Sequence, residues 1–235
     1  MIAERGPALP TSAYDYDLPP ELIAQEPTAV RGQSRLLVVD RSSAVDRSSA
    51  VDRSSAGALR DTTFPAIVDL IPPGDLLVLN TTRVRHARFL GTRPSGAPAE
   101  VLLLHPAMGD AWIAIGKPGS ALRPGKRIRL DDDVAIETVE VLDDGNRVVR
   151  FVGADAADAI ARHGRLPLPP YIRRDPSGDD EQRYQTVYAD REGSVAAPTA
   201  GLHFTTELLA AVEQRGVRIG RLDLEVGPGT FRPVD

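Results

Sequence analysis

The 235-residue sequence contains no cysteine, which excludes disulfides, thiolate metal sites and a thiol nucleophile together. Chemistry must then come from His, Tyr, carboxylates or the backbone. Histidine is scarce too. The four, His86, His105, His163 and His203, stand far apart with none of the paired spacing of a zinc site, so no metal is expected. No stretch approaches the roughly 18 apolar residues of a membrane span. The opening MIAERGPALPTSAYDYDLPP places an acid and prolines where a secretion signal needs an apolar run. A cytoplasmic protein without a membrane partner is expected. An excess of positive charge is also missing: 28 Lys and Arg face 33 Asp and Glu, a net charge of -5. That argues against indiscriminate coating of nucleic acid but leaves room for a local basic face.

What is present suits one large or two modest domains, since 42% hydrophobic content is enough to bury a core. Pro20 and Pro27 bracket a short helix, and Ser34 to Val39 reads as a strand. Three copies of a six-residue unit then follow (DRSSAV, DRSSAV, DRSSAG, residues 40–57). With so little to bury, they read as an expanded surface loop. A helix is expected from Thr62 to Ile71, stopped by Pro72-Pro73-Gly74.

After Gly74 the period changes to two. Seven short runs (75–80, 84–90, 100–105, 111–117, 127–130, 134–142 and 147–152) are separated by Pro, Gly and Asp turn signals. They predict a small antiparallel barrel or sandwich. A helix over 155–163, a proline-fixed extended stretch at 166–172, a helix over 207–215 and a buried strand over 217–226, with an apolar parity shift at Gly220, complete the reading. Two basic runs without acids, 83–93 and 117–129, are read either as a solvated face or as a nucleic-acid contact.

The candidate site is the stretch Ala196-Ala197-Pro198-Thr199-Ala200-Gly201-Leu202-His203-Phe204-Thr205-Thr206. Pro, Gly and His crowd before a helix that Thr205 or Thr206 can cap, so backbone N–H groups and one imidazole would face a common point. The plainer reading is loop punctuation and a structural histidine. Gly227-Pro228-Gly229-Thr230 after the last strand permits close backbone approach to a ligand, although such a glycine pair alone is a weak signal.

The run PTAGLHF resembles the signature of the S-adenosylmethionine:tRNA ribosyltransferase-isomerase family of queuosine biosynthesis. Further segments match that family in order: LPPELIAQEP with SRLL, GDLLVLNTTRV with Ala87-Arg88, PLPPYI, YQTVY, and EVGPGTFRPV. The chain departs from the family at Arg85 and His86, where an aliphatic residue and Pro are usual. Glu225 stands where His is usual, and the hexapeptide repeat replaces a short connection.

The resemblance implies an α/β domain interrupted by a small antiparallel β-barrel, with boundaries at 1–73, 74–153 and 154–235. It implies an enzyme that moves the ribosyl unit of S-adenosylmethionine, a substrate here and no resident cofactor, onto 7-aminomethyl-7-deazaguanine in tRNA. The unit isomerises to epoxyqueuosine, and adenine and methionine are released. A proton must leave a carbon beside the sulfonium, and His203 is the candidate proton-transfer residue. Pro198, Thr199, Ala200, Gly201, Phe204, Tyr171, Tyr188, Gly227, Gly229 and Thr230 are candidates for substrate binding. Arg83, Arg85, Arg88, Lys126 and Arg127 are candidates for tRNA.

Family members also carry later segments resembling GTTSVR and TNFHLP, which this sequence lacks. A monomeric, truncated form with an exposed sheet edge prone to association and little activity alone is therefore expected. An inert RNA-binding fragment and an adenosyl-binding domain without turnover are the alternatives.

Overall fold

A computed structural model describes residues 10–40 and 59–231; nearly all of the hexapeptide repeat lies outside these. Single 3-10 turns at Thr11–Tyr14 and Pro20–Leu22 precede strand β1 (Arg35–Val39). It pairs antiparallel with β2 (Leu59–Thr63), Val39 opposite Leu59 and Arg35 opposite Thr63. The helix expected from Thr62 starts later. Thr62 and Thr63 complete β2, a 3-10 turn covers Phe64–Ala66, and α1 (Ile67–Leu70) is a single turn. Two consecutive β-branched threonines favour the extended state, and a paired strand across from them decides it.

The next elements are β3 (Leu76–Asn80), β4 (Arg83–Val84), β5 (Arg88–Thr92), β6 (Pro98–Pro106), β7 (Ala111–Lys117), β8 (Arg127–Arg129), β9 (Ala135–Val141) and β10 (Arg147–Val152). β5 to β10 form a closed antiparallel barrel in the order β10-β7-β6-β5-β8-β9. Its interior is filled by inward-pointing side chains, among them Phe89, Val101, Leu103, Ala114, Ile128, Ile136 and Val149, as a barrel this small requires. Phe89 and Phe151 meet at 5.4 Å between ring centroids. At Gly91 a Cβ would strike the Arg129 carbonyl and lie 2.7 Å from Ile128 Cγ2, so only glycine lets β5 approach β8 this closely.

β3 and β4 alternate like barrel strands but lie outside the ring. Alternation identifies a strand without naming its partner, and these two pair in parallel with strands from the far end of the chain. The single run expected over 84–90 is broken because Ala87 N–H turns back to the Arg85 carbonyl at 2.8 Å, separating β4 from β5.

Beyond the barrel come α2 (Ala156–His163), α3 (Asp180–Arg183), β11 (Glu192–Ser194), α4 (Thr206–Gln214) and β12 (Arg218–Leu222). α2 begins at Asp155, whose side chain accepts from Asp158 N–H at 2.8 Å, and packs Ala159 and Ile160 on the barrel. β11 runs parallel to β4, and β12 parallel to β3. The register of β12 is regular through Gly220, so the parity shift there marks no bulge. Nor is this strand buried as expected. Val217 is, but Leu222 and Leu224 are exposed, because among the described residues β3 is its only strand neighbour.

α4 starts at Thr205, whose hydroxyl accepts from Leu208 N–H, and buries Leu209 and Val212. Phe64, Leu79, Phe204 and Leu209 make the core that joins the turn after β2 to β3 and α4. No described helix is long and apolar enough to cross a membrane.

Candidate active site

The central stretch folds as a 3-10 turn, Thr199–His203, entered from Pro198 and left at Phe204. Its hold on the protein is steric. Phe204 is buried edge-on to Phe64 at 5.0 Å, and the same Phe64 ring lies 5.2 Å from the His203 imidazole. Gly201 is buried beneath Tyr188. A Cβ there would overlap the Tyr188 hydroxyl and lie 2.9 Å from Thr186 Cγ2, so glycine is required by the close approach of a neighbouring ring.

The N-terminal segment closes over this turn. Ser34 Oγ lies 2.8 Å from His203 Nδ1. Arg31 donates from Nη1 to the Leu202 carbonyl at 2.9 Å and from Nη2 to the Gln182 carbonyl at 2.7 Å. His203 is thus fixed through Nδ1, and Nε2 is its nitrogen without a protein partner among the described residues. Burial pushes the imidazole below its ordinary acidity range, and the neighbouring Arg31 cation adds to that. The effect is a histidine held neutral near pH 7.

A proline-fixed wall, Pro167 to Ile172, faces the turn, and Gln25 ties it to the N-terminal segment. Gln25 Nε2 donates to the Tyr171 carbonyl at 3.0 Å, and Gln25 Oε1 accepts from Arg173 N–H at 2.7 Å. Arg174 is the central clamp. Its Nη1 and Nη2 grip the Asp180 carboxylate at 2.5 and 2.9 Å, while Nε donates to the Gln25 carbonyl and lies 2.7 Å from Glu26 Oε1. Ser177 adds its N–H and hydroxyl to Asp180. The Arg174 bonds, opposed by burial and reinforced by Ser177, take the Asp180 carboxyl from 3.8 to about 2.

Between turn and wall lies a cavity of about 260 Å³, lined by Arg31, Ser34, Tyr171, Tyr184, Thr199 and His203 among others. Burial pushes the Tyr184 phenol up to about 12 against a weak approach from the Ala197 backbone. That approach falls outside hydrogen-bond geometry, so the hydroxyl is buried without a partner among the described residues. The proline wall also borders a larger groove of about 790 Å³, reaching the barrel through Arg88, Glu100, Leu102, Ile115 and Lys117.

The sequence candidates are placed unequally. His203, Thr199 and Tyr171 meet at the smaller cavity. Ala200 is exposed on the turn, while Pro198 and Tyr188 are half-buried behind it. Gly201 and Phe204 are buried supports. Gly227 and Gly229 have nothing within 4 Å of where a Cβ would stand, and with Thr230 they do not reach the His203 cavity; only their neighbour Pro228 lines the larger groove.

The basic candidates are dispersed. Arg85 is 8% exposed, lies 5.1 Å over the Trp112 ring and donates to the Leu104 carbonyl. Arg83 holds the Ala189 carbonyl at 2.7 Å. Arg88 pairs with Glu100 at 3.1 Å and Arg127 with Glu137 at 2.7 Å, leaving Lys126 exposed without a side-chain partner among the described residues. Among the described residues no cluster of His, Asp or Glu could hold a metal ion.

Arg31, Ser34, Gln25, Arg174, Asp180 and Tyr184 are site residues that sequence reasoning missed. Gln25, Ser34 and Tyr184 sat inside matched segments, which was the one available signal. The others come together only through contacts between distant parts of the chain.

A family model described as queuosine biosynthesis protein matches residues 11–235. A protein of Syntrophomonas wolfei called S-adenosylmethionine:tRNA ribosyltransferase-isomerase is 49% identical over 227 residues, 95% of this chain and 60% of that protein. One of the same name from Geobacter metallireducens is 44% identical, over 94% of this chain and 62% of its own length. The chain thus spans about 60% of the length of these relatives. A solved structure of S-adenosylmethionine tRNA ribosyltransferase from Thermotoga maritima is 28% identical, covering 91% of this chain and 58% of that one, at a TM-score of 0.35.

Proposed function

The chain belongs to the queuosine biosynthesis protein family, and from that premise we propose that its His203 cavity serves the transfer and isomerisation of the ribosyl unit of S-adenosylmethionine. The acceptor is 7-aminomethyl-7-deazaguanine in tRNA, and epoxyqueuosine, adenine and methionine are the products. The observation that carries the reading is a half-buried imidazole, engaged at Nδ1 by Ser34, on a cavity that Thr199, Tyr171 and Tyr184 also line.

A neutral imidazole with a free nitrogen can take the proton that must leave the carbon beside the sulfonium. Its lowered basicity keeps it ready to do so at neutral pH. The cavity is slightly smaller than the roughly 300–1,000 Å³ of small-molecule sites. The larger groove along the proline wall offers room for the nucleotide acceptor. S-adenosylmethionine enters as substrate, and the reaction belongs in the cytoplasm, where the tRNA is.

The test is release of adenine from S-adenosylmethionine by the purified chain, with and without tRNA carrying the aminomethyl base. Slow release that needs the tRNA and falls further in His203→Ala, by up to about 10² to 10⁴-fold, is the expected result. Adenine release independent of the tRNA, or undiminished in the variant, would remove the proposal.

A further inference from the structure

We propose that Ser34 is a positioning residue of this site: its hydroxyl accepts a hydrogen bond from His203 Nδ1–H and so presents a bare Nε2 to the cavity as the base. This rests on the proton-transfer reading of His203. The 2.8 Å separation between Ser34 Oγ and Nδ1 fits either direction of donation, so the surroundings must choose. The backbone of Ser34 is anchored, since its carbonyl accepts from Phe64 N–H at 2.8 Å. The Phe64 ring packs against the imidazole at 5.2 Å.

The charges facing the cavity decide the direction. Arg174 is matched by Asp180 and Glu26. Among the described residues Arg31 and Arg183 bind backbone carbonyls, of Leu202, Gln182 and Ala29 among others, so the lining sets three arginines against the two carboxylates of Glu26 and Asp180. The cavity therefore carries positive potential. A ring nitrogen facing it is favoured as a lone pair over an N–H, which places the ring proton on Nδ1 and makes the serine the acceptor.

A hydroxyl is also the partner that such a base needs. A carboxylate in its place would raise the pKa of the ring and favour the imidazolium, whereas a neutral oxygen orients the ring without that bias. When Nε2 takes a proton from the substrate carbon, Nδ1–H stays donated to Ser34 Oγ, and the ring keeps its place in both protonation states. Ser34 and His203 lie 169 residues apart in sequence, so closure of the N-terminal segment over the turn creates the working base.

Long-range 1H–15N NMR of the imidazole rings tests this in the purified chain without requiring turnover, with His203→Gln assigning the signal. The wild type is expected to show the Nδ1–H tautomer of His203 at pH 7. Ser34→Ala should return the ring to the Nε2–H form that an unconstrained histidine prefers in water, and Ser34→Thr should keep the wild-type pattern. A wild-type ring protonated at Nε2, or a Ser34→Ala ring indistinguishable from wild type, overturns the assignment.

In adenine release, Ser34→Ala should lower kcat at least about tenfold with KM little changed, and Ser34→Thr should restore it. His203→Ala inactive with Ser34→Ala fully active defeats the role of Ser34 alone. His203→Ala fully active defeats the underlying reading, whichever tautomer is found.

Discussion

Replacing Asp180 by Asn tests the clamp that holds the proline wall beside the cavity. The carboxylate is 4% exposed, is gripped by two nitrogens of Arg174, and also accepts from Ser177 N–H and Oγ. Its acidity is shifted from 3.8 to about 2. At about 1.36 kcal/mol per decade, that difference corresponds to about 2 kcal/mol of folding stability at neutral pH. Glu26 remains beside Arg174 in the variant, so the guanidinium is not left bare and the loss should stay near that value.

Because the folded-state pKa is depressed, the contribution is complete above about pH 5. It falls to about half by pH 3 and is lost as the pH drops through about 2. Urea unfolding of wild type and Asp180→Asn at pH 7, 5 and 3 measures this directly, since all other titrating groups cancel in the difference. A gap of about 2 kcal/mol at pH 7 that narrows by about 1 kcal/mol at pH 3 is expected. A gap that does not change with pH, or one below about 0.5 kcal/mol at pH 7, would show that the pair is solvated and the clamp absent.

Gly201→Ala should destabilise by about 1–3 kcal/mol through overlap with the Tyr188 hydroxyl, and adding Tyr188→Phe should recover part of that loss in a double-mutant cycle of thermal unfolding. Thr205→Ala should cost about 1 kcal/mol in the same assay by removing the cap of α4. Arg85→Ala should lower stability and change the fluorescence of Trp112, the sole tryptophan. The salt dependence of tRNA binding should be untouched by it. Neutralising Lys126 and Arg127 should instead flatten that dependence by about one unit of slope for each phosphate that no longer meets a cation. Residues 40–58 join the paired ends of the β1–β2 hairpin, so deleting Asp46 to Gly57 should change stability by less than about 1 kcal/mol in urea unfolding.

Local features were legible in the sequence. Turn signals located the strands from β6 to β10, Thr205 announced its helix as a cap, and the crowding of Pro198, Gly201 and His203 marked the turn that lines the cavity. Pairing was not legible, because β3 and β4 alternate in the same way as the barrel strands and their parallel partners lie more than a hundred residues away. Arg85 misled for a related reason: charge suggests the surface, and only the Trp112 ring and the Leu104 carbonyl make its burial tolerable. Arg31 and Arg174 carry no periodicity or motif spacing of their own, and Ser34 opens the matched SRLL segment without any sign of its partner. Their roles exist only where residues 25–34 fold back onto 171–203.

Whether S-adenosylmethionine enters the cavity at His203 is best measured by following the histidine ring resonances of the purified chain during a titration with it. The account predicts saturable shifts of His203, with the barrel histidine His105 unchanged. Saturable binding by calorimetry that leaves the His203 ring unperturbed would place the ligand elsewhere and contradict the account.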